Sequence, residues 1–212
     1  MMRNRDISNS VIRRLPRYYR FLGELKSKGV TKISSGELSK RMGLTASQIR
    51  QDFNCFGEFG QQGYGYNVEM LQSEIGKILG LEKPKSVVLI GVGNLGRAVA
   101  QHVNFASLGY QLTGLFDQKE SLLGQTVKDI PIRSISSLDE FCRENKPDVA
   151  VLCIPKSAAN SIVEQLIKLG VKGFWNFSHY DIALEHPGIS VENVHFSDSL
   201  MTLSYKLSND NN

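Results

Sequence analysis

The chain's 212 residues are enough for two compact domains rather than one. Hydrophobic residues at 41% and charged ones at 22% describe an ordinary globular chain. The longest apolar runs, Val87 to Val92 and Val149 to Ile154, fall far short of the roughly 20 residues that cross a bilayer, which excludes a membrane-spanning helix. The net charge of +4 hides an asymmetry: residues 1–66 carry 12 Lys and Arg against 5 Asp and Glu, whereas residues 67–212 carry 13 against 16. The first third, at +7, is the candidate for a polyanionic partner, and the remainder, at −3, is not.

Met1 to Pro16 carries Arg3, Arg5, Arg13 and Arg14 without the continuous apolar stretch of a secretory signal, so a cytoplasmic protein is expected. Cys55, Cys142 and Cys153 form no CxxC pair, which argues against a metal site and leaves a thiol sensor as the redox alternative.

From Asn9 to Lys28 the apolar positions Val11, Ile12, Leu15, Tyr18, Tyr19, Leu22 and Leu25 recur at helical spacing, interleaved with Arg13, Arg14, Arg17 and Arg20. This predicts a basic amphipathic helix that either starts near Pro16 or bends there. Ser34 to Glu37 and Thr45 to Gln48 each set a hydroxyl three residues ahead of Glu or Gln, the spacing of a capping box, and Met42-Gly43-Leu44 separates them. Helix, short turn, helix is the organisation of a helix-turn-helix, although an ordinary helical hairpin fits the same pattern. On the second helix Leu44, Ile49 and Phe53 face inward, leaving Ser47, Gln48, Arg50 and Gln51 for base edges and phosphates. Phe56 to Tyr66 then alternates aromatics with glycines, which predicts a hairpin whose tip, Gln62-Gly63-Tyr64, suits a wing on DNA. Val68 to Leu81 resumes helical periodicity until Glu82-Lys83-Pro84-Lys85 breaks it, where the domain boundary is placed.

Val87 to Ile90 is a strand-like run that leads into Gly91-Val92-Gly93-Asn94-Leu95-Gly96 and a helix after it; a second strand, Gln111 to Phe116, ends in Asp117. Strand, GxGxxG, helix and an acidic strand end are the dinucleotide-binding arrangement, with the pyrophosphate at the helix N-terminus and the carboxylate on ribose hydroxyls. A carboxylate at Asp117 repels a 2′-phosphate, which favours NAD over NADP. Further alternation through Ile130 to Ile132, Leu138 to Arg143, Val149 to Ile154, Ala158 to Leu169 and Gly173 to Phe177 predicts a doubly wound, mostly parallel sheet. Its carboxyl edge nominates Pro155-Lys156 and Asn176-Phe177-Ser178 to line the nicotinamide side. His179 and His195 are the nearest candidates for proton transfer, and no separate substrate domain is visible. Asp198 to Leu207 carries Leu200, Leu203, Tyr205 and Leu207 on a terminal helix that either caps its own sheet or docks on a second subunit.

The chain resembles the Rex family of redox-sensing repressors over nearly its whole length. The resemblance rests on the spacing of Arg14, Tyr18, Arg20, Leu22 and Leu25, on Phe56 to Val68 with its GYGYNV ending, on GVGNLG, on Phe116-Asp117 and on Asn176-Phe177. It implies an α/β protein with an N-terminal winged helix-turn-helix (1–82), a Rossmann-like doubly wound domain (83–196) and a C-terminal segment (197–212) whose helix is swapped between subunits of a homodimer. It further implies a regulator, not an enzyme, that binds palindromic double-stranded operator DNA when NADH is low and leaves it when NADH binds, NADH/NAD⁺ being regulatory ligands. Arg14 and Arg17 join the DNA-binding set, Phe196 approaches the nicotinamide from the partner subunit, and Arg20, His102 and Asp198 form the interdomain switch. Gln51 and Gln62 stand where many relatives carry a basic residue, and His102 where a Tyr is expected. Two other classes remain at this point: an NAD-dependent oxidoreductase with a basic appendage, and a thiol-based DNA-binding regulator.

Overall fold

The structure, a computed structural model, describes residues 7–57, 60–61 and 65–209. The chain divides into two compact units, Met1–Lys83 and Pro84–Asn212.

In the first unit α1 (Asn9–Ser27) buries Val11, Leu15, Tyr18, Leu22 and Leu25, one stripe at three- and four-residue spacing. Pro16 lies inside this helix on its exposed side; the helix begins a full turn and more ahead of it because Val11 and Leu15 are both anchored in or beside the core. After β1 (Lys32–Ile33) comes α2 (Ser35–Met42), which opens with a complete capping box between Ser34 and Glu37 and closes at Gly43 with φ 62°. Thr45 caps α3 (Ala46–Asn54) by accepting from the Gln48 amide, but the Gln48 side chain turns elsewhere, so this cap is one-sided. β2 (Gly60–Gln61) and β3 (Gly65–Asn67) pair antiparallel, Gly60 with Tyr66 and Gln61 with Gly65, and β1 joins the other edge of β3. With α4 (Val68–Ile78) packed along α1, the unit is a winged helix-turn-helix around Leu15, Tyr18, Leu22, Leu38, Ile49 and Phe53.

The second unit is built on seven strands: β4 (Lys85–Ile90), β5 (Tyr110–Asp117), β6 (Thr126–Val127), β7 (Ile130–Ser134), β8 (Val149–Leu152), β9 (Gly173–Asn176) and β10 (Ser190–Asn193). Their order is β10-β9-β8-β4-β5-β7-β6, all parallel except β6, which closes one edge antiparallel to β7. Successive residues of β4 serve opposite faces: Val87 and Leu89 pack with Val99, Ala100 and Leu115, Val88 and Ile90 with Leu138, Leu152 and Val163. Covering helices are α5 (Asn94–His102), α6 (Leu138–Asn145) and α7 (Lys156–Lys168). A short α8 (Ile182–Glu185) precedes β10, and α9 (Phe196–Asn209) ends the described chain. Not one residue of α9 is buried: Phe196, Leu200, Met201, Leu203, Tyr205 and Leu207 are 49% to 72% exposed, so this helix does not cap its own sheet.

Candidate functional site

At β4 the sheet order reverses, with β5 on one side and β8 on the other, the switch point at which such sheets form a ligand crevice beyond their carboxyl ends. Gly91 to Gly96 runs from β4 across this crevice into α5, and its three glycines answer to three different constraints. Gly91 holds φ +90°, and a Cβ there would lie 2.5 Å from the Cys153 carbonyl oxygen at the end of β8. A Cβ on Gly96 would run into the Gly91 carbonyl oxygen, so only glycine lets α5 sit this close to its strand. At Gly93 a Cβ meets nothing within 4 Å. The open position immediately precedes Asn94 and Leu95, whose amides begin α5 and have no acceptor within the helix. It is the approach a pyrophosphate requires.

Val92 is wholly buried, and its amide donates to Asp117 Oδ2 at 2.6 Å while the Lys119 amide donates to Oδ1 at 2.8 Å. Asp117 thus braces the fingerprint from the end of β5, and each oxygen keeps a lone pair for a ribose hydroxyl. Beyond β8 lies Pro155, which caps α7, and at the end of β9 runs an aromatic series in which Trp175 meets Phe177 at 5.0 Å and Phe177 meets Phe196 at 6.1 Å. Beside it His179 and His195 stack at 4.6 Å. Asn176, expected to line the ligand, has its side chain engaged within the protein. It is wholly buried, its Nδ2 donates to Tyr180 O and Asn193 Oδ1, and its Oδ1 accepts from the Ser178 amide and hydroxyl. With every polar position engaged, Asn176 shapes the turn that presents Phe177 and His179.

On the first unit Ser47, Arg50 and Gln51 are exposed on α3 as the spacing predicts, and Arg17 is exposed on α1. Arg50 Nη1 also donates to Ser35 Oγ at 3.1 Å. Asn54, absent from the sequence reading, shares the exposed stripe. Two of the residues expected to contact DNA, Arg14 and Gln48, are half-buried. Arg14 and Gln48 turn inward onto the carboxylate of Asp52, which accepts from Arg14 at 2.7 and 2.8 Å and from Gln48 at 3.0 Å. Burial pushes that carboxyl up, but the hydrogen bonds from Arg14, Tyr18 and Gln48 outweigh it and hold it below the ordinary range, while Asp52 raises Arg14 in turn. Gln62, Gly63 and Tyr64 lie outside the described residues.

Of the residues assigned to the switch, Arg20 is exposed on α1, His102 is exposed at the end of α5, and Asp198 is in the first turn of α9 with Oδ2 3.6 Å from His195 Nδ1. Burial pushes the Cys142 thiol up to about 11 and that of Cys153 up to about 12, so neither is a thiolate near neutrality, which disfavours a thiol sensor at these two positions. Among the described residues no group of His, Cys, Asp and Glu is placed to hold a metal, and no helix is long and apolar enough to cross a membrane. A cleft of about 720 Å³ lies at the opposite, amino edge of the sheet, where Lys146, Lys168 and Lys172 stand near the carbonyl ends of α6 and α7; it has no part in the fingerprint site.

Fold and site together define a nucleotide-responsive DNA-binding regulator. Residues 6–54 match the family described as "Putative DNA-binding protein N-terminus", and residues 82–180 match the CoA binding domain, a description that names a different adenosine-containing ligand from the one expected. The redox-sensing transcriptional repressor Rex of Clostridioides difficile (strain 630) is 49% identical over 97% of each chain, and that of Clostridium novyi (strain NT) is 50% identical over the full length of both. Among solved structures, RSP in complex with β-NAD⁺ and operator DNA matches with a TM-score of 0.88 and 47% identity, over 97% of this chain and 94% of that one. RSP in complex with β-NADH matches with a TM-score of 0.88 and 44% identity, over 97% and 96%. The chain belongs to the Rex family of redox-sensing transcriptional repressors, regulators rather than enzymes.

Proposed function

We propose that this chain is a repressor that holds palindromic operator DNA when NADH is scarce and releases it when NADH occupies the crevice beyond β4. The observation that carries the reading is the fingerprint: Gly93, the N-cap of α5, has open space where a Cβ would stand, while Asp117 braces the loop from the neighbouring strand. The first amides of α5 take the pyrophosphate and Asp117 the ribose. Pro155, Phe177 and Phe196 shape the nicotinamide end. On DNA, Ser47, Arg50 and Gln51 address base edges, Arg17 the phosphates, and the wing residues Gln62, Gly63 and Tyr64 the adjoining groove.

Two recognition helices must reach half-sites about 34 to 36 Å apart, so the functional unit is a homodimer. The uncovered apolar face of α9 supports this, since each large apolar side chain gains about 1.5–3 kcal/mol on burial. Arg20, His102 and Asp198 keep the switch role, tested by substitutions that leave both affinities intact and change only the effect of NADH on DNA. A cytoplasmic location follows from the DNA target. The experiment is a gel shift on the chain's own promoter region with NADH and NAD⁺, paired with sedimentation of the full chain and of a chain ending before Asp198. NADH should release the DNA without being turned over, and the shortened chain should sediment as a monomer. Turnover of NADH, or a shortened chain that remains dimeric and fully responsive, would contradict the reading.

A further inference from the structure

Asp52, on the helix assigned to base reading, is wholly buried. Arg14 Nε and Tyr18 Oη donate to its Oδ2 at 2.7 and 2.8 Å, and Arg14 Nη2 and Gln48 Nε2 donate to its Oδ1 at 2.8 and 3.0 Å. Two donors on each oxygen fill the lone-pair sites a carboxylate offers. Arg14 and Tyr18 are one turn apart on α1, Gln48 and Asp52 one turn apart on α3, so the group is a cross-brace between the two helices.

Stability alone does not account for it, because apolar packing of similar volume often holds two elements as well as a buried ion pair does. Directional bonds supply something apolar contact lacks: they fix the rotation of α3 about its own axis. With Asp52 and Gln48 drawn inward, the outward stripe is Ser47, Arg50, Gln51 and Asn54, all exposed.

We propose that Asp52 is a positioning residue for sequence recognition: through Arg14 and Tyr18 on α1 it sets the rotation of α3 and gives base reading to Ser47, Arg50, Gln51 and Asn54, and by accepting from Gln48 it withholds that side chain. The inference rests on the reading of α3 as the recognition helix. The chemistry of the stripe selects purines, guanine for Arg50 and adenine for Gln51 or Asn54.

The test uses the full chain, the operator of its own promoter, that operator with each base pair changed in turn, and an unrelated duplex at the same salt. Asp52→Asn sets a donor nitrogen against the donors of Arg14 and Gln48. Operator affinity should fall about tenfold or more, affinity for the unrelated duplex should change less than about twofold, and the preference at individual base pairs should shift, with NADH binding unchanged. Gln48→Ala should keep the parent's base preferences at every position. A merely structural Asp52 lowers thermal stability and leaves those preferences alone; that result in folded Asp52→Asn, or lost selectivity at one base pair in Gln48→Ala, overturns the proposal. Should Asp52→Asn fail to fold, Tyr18→Phe removes one of the four bonds while its ring keeps the 4.9 Å contact with Phe53, and a parental ratio of operator to unrelated affinity in that variant overturns it equally. A parent chain that prefers no operator contradicts the DNA reading itself.

Discussion

Replacing Gly93 with valine separates ligand exclusion from damage to the fold. Gly93 caps α5 with φ −67° and ψ −164°, a backbone that any residue adopts, and a Cβ there has no neighbour within 4 Å. Valine therefore costs the protein only a favourable N-cap, about 1 kcal/mol, which lowers Tm by a few degrees. The same side chain adds bulk at the N-cap, beside the first amides of α5 that the pyrophosphate is proposed to take. A pyrophosphate displaced from two of them loses about 1.5–3 kcal/mol for each charge-assisted hydrogen bond, or about 3–6 kcal/mol in all, roughly 10²- to 10⁴-fold in NADH affinity. Gly96→Ala is the contrast: its methyl is driven into the Gly91 carbonyl and to 3.1 Å from Leu89 Cδ2, so about 1–3 kcal/mol of overpacking falls on the fold first. Nicotinamide fluorescence titration, thermal unfolding and operator gel shifts on both variants read the difference. The valine chain should unfold close to the parent, bind operator and ignore NADH. A valine variant with NADH affinity within about threefold of the parent, or one as unstable as Gly96→Ala, would refute the reasoning.

Arg50→Ala should weaken operator binding by about 1–3 kcal/mol, the worth of a bidentate base contact, and leave NADH titration unchanged; parental operator affinity at fixed salt removes Arg50 from the interface. Asp117→Ala should lower NADH affinity by releasing the Val92 and Lys119 amides and should narrow the preference for NADH over NADPH, measured as the ratio of concentrations that release DNA; an unchanged ratio places selectivity elsewhere. Asp52, held below its ordinary 3.8 in the folded chain, contributes stability that is present above that value and lost as the pH falls through the folded one. Urea unfolding from about pH 7 down to about pH 3 should therefore show a loss in the parent that is smaller in Asp52→Asn, and identical profiles would deny the linkage.

Much of this was legible from residue spacing. Strand-GxGxxG-helix ending in an acidic second strand is a local pattern, so the crevice could be placed before any packing was known. Ser34 with Glu37, and the stripe of Val11, Leu15, Tyr18, Leu22 and Leu25, were equally local. Side-chain partners that depend on which neighbouring group is buried were not legible in the spacing. Arg14 and Asp52 lie 38 residues apart, and a charged residue on a polar helix gives no sign that it is buried. Gln48 looked outward because the carboxylate that claims it was assumed to be solvated. Asn176 is held partly by Asn193, on a strand that the short, polar run Ser190–Asn193 did not announce. The edge hairpin of β6 and β7 turns on Lys128-Asp129, at φ 48° and 63°, where glycine or asparagine would have signalled the turn.

The central claim is that one dinucleotide site and one DNA surface are linked through a single equilibrium. Linkage is reciprocal, so operator DNA must weaken NADH binding by the factor by which NADH weakens operator binding, typically about 5- to 150-fold. The direct measurement is NADH affinity of the full chain with and without saturating operator, beside operator affinity with and without saturating NADH, at one salt concentration. Equal factors in the two pairs, both well above one, are the predicted result. NADH affinity that is the same on and off the operator would contradict it.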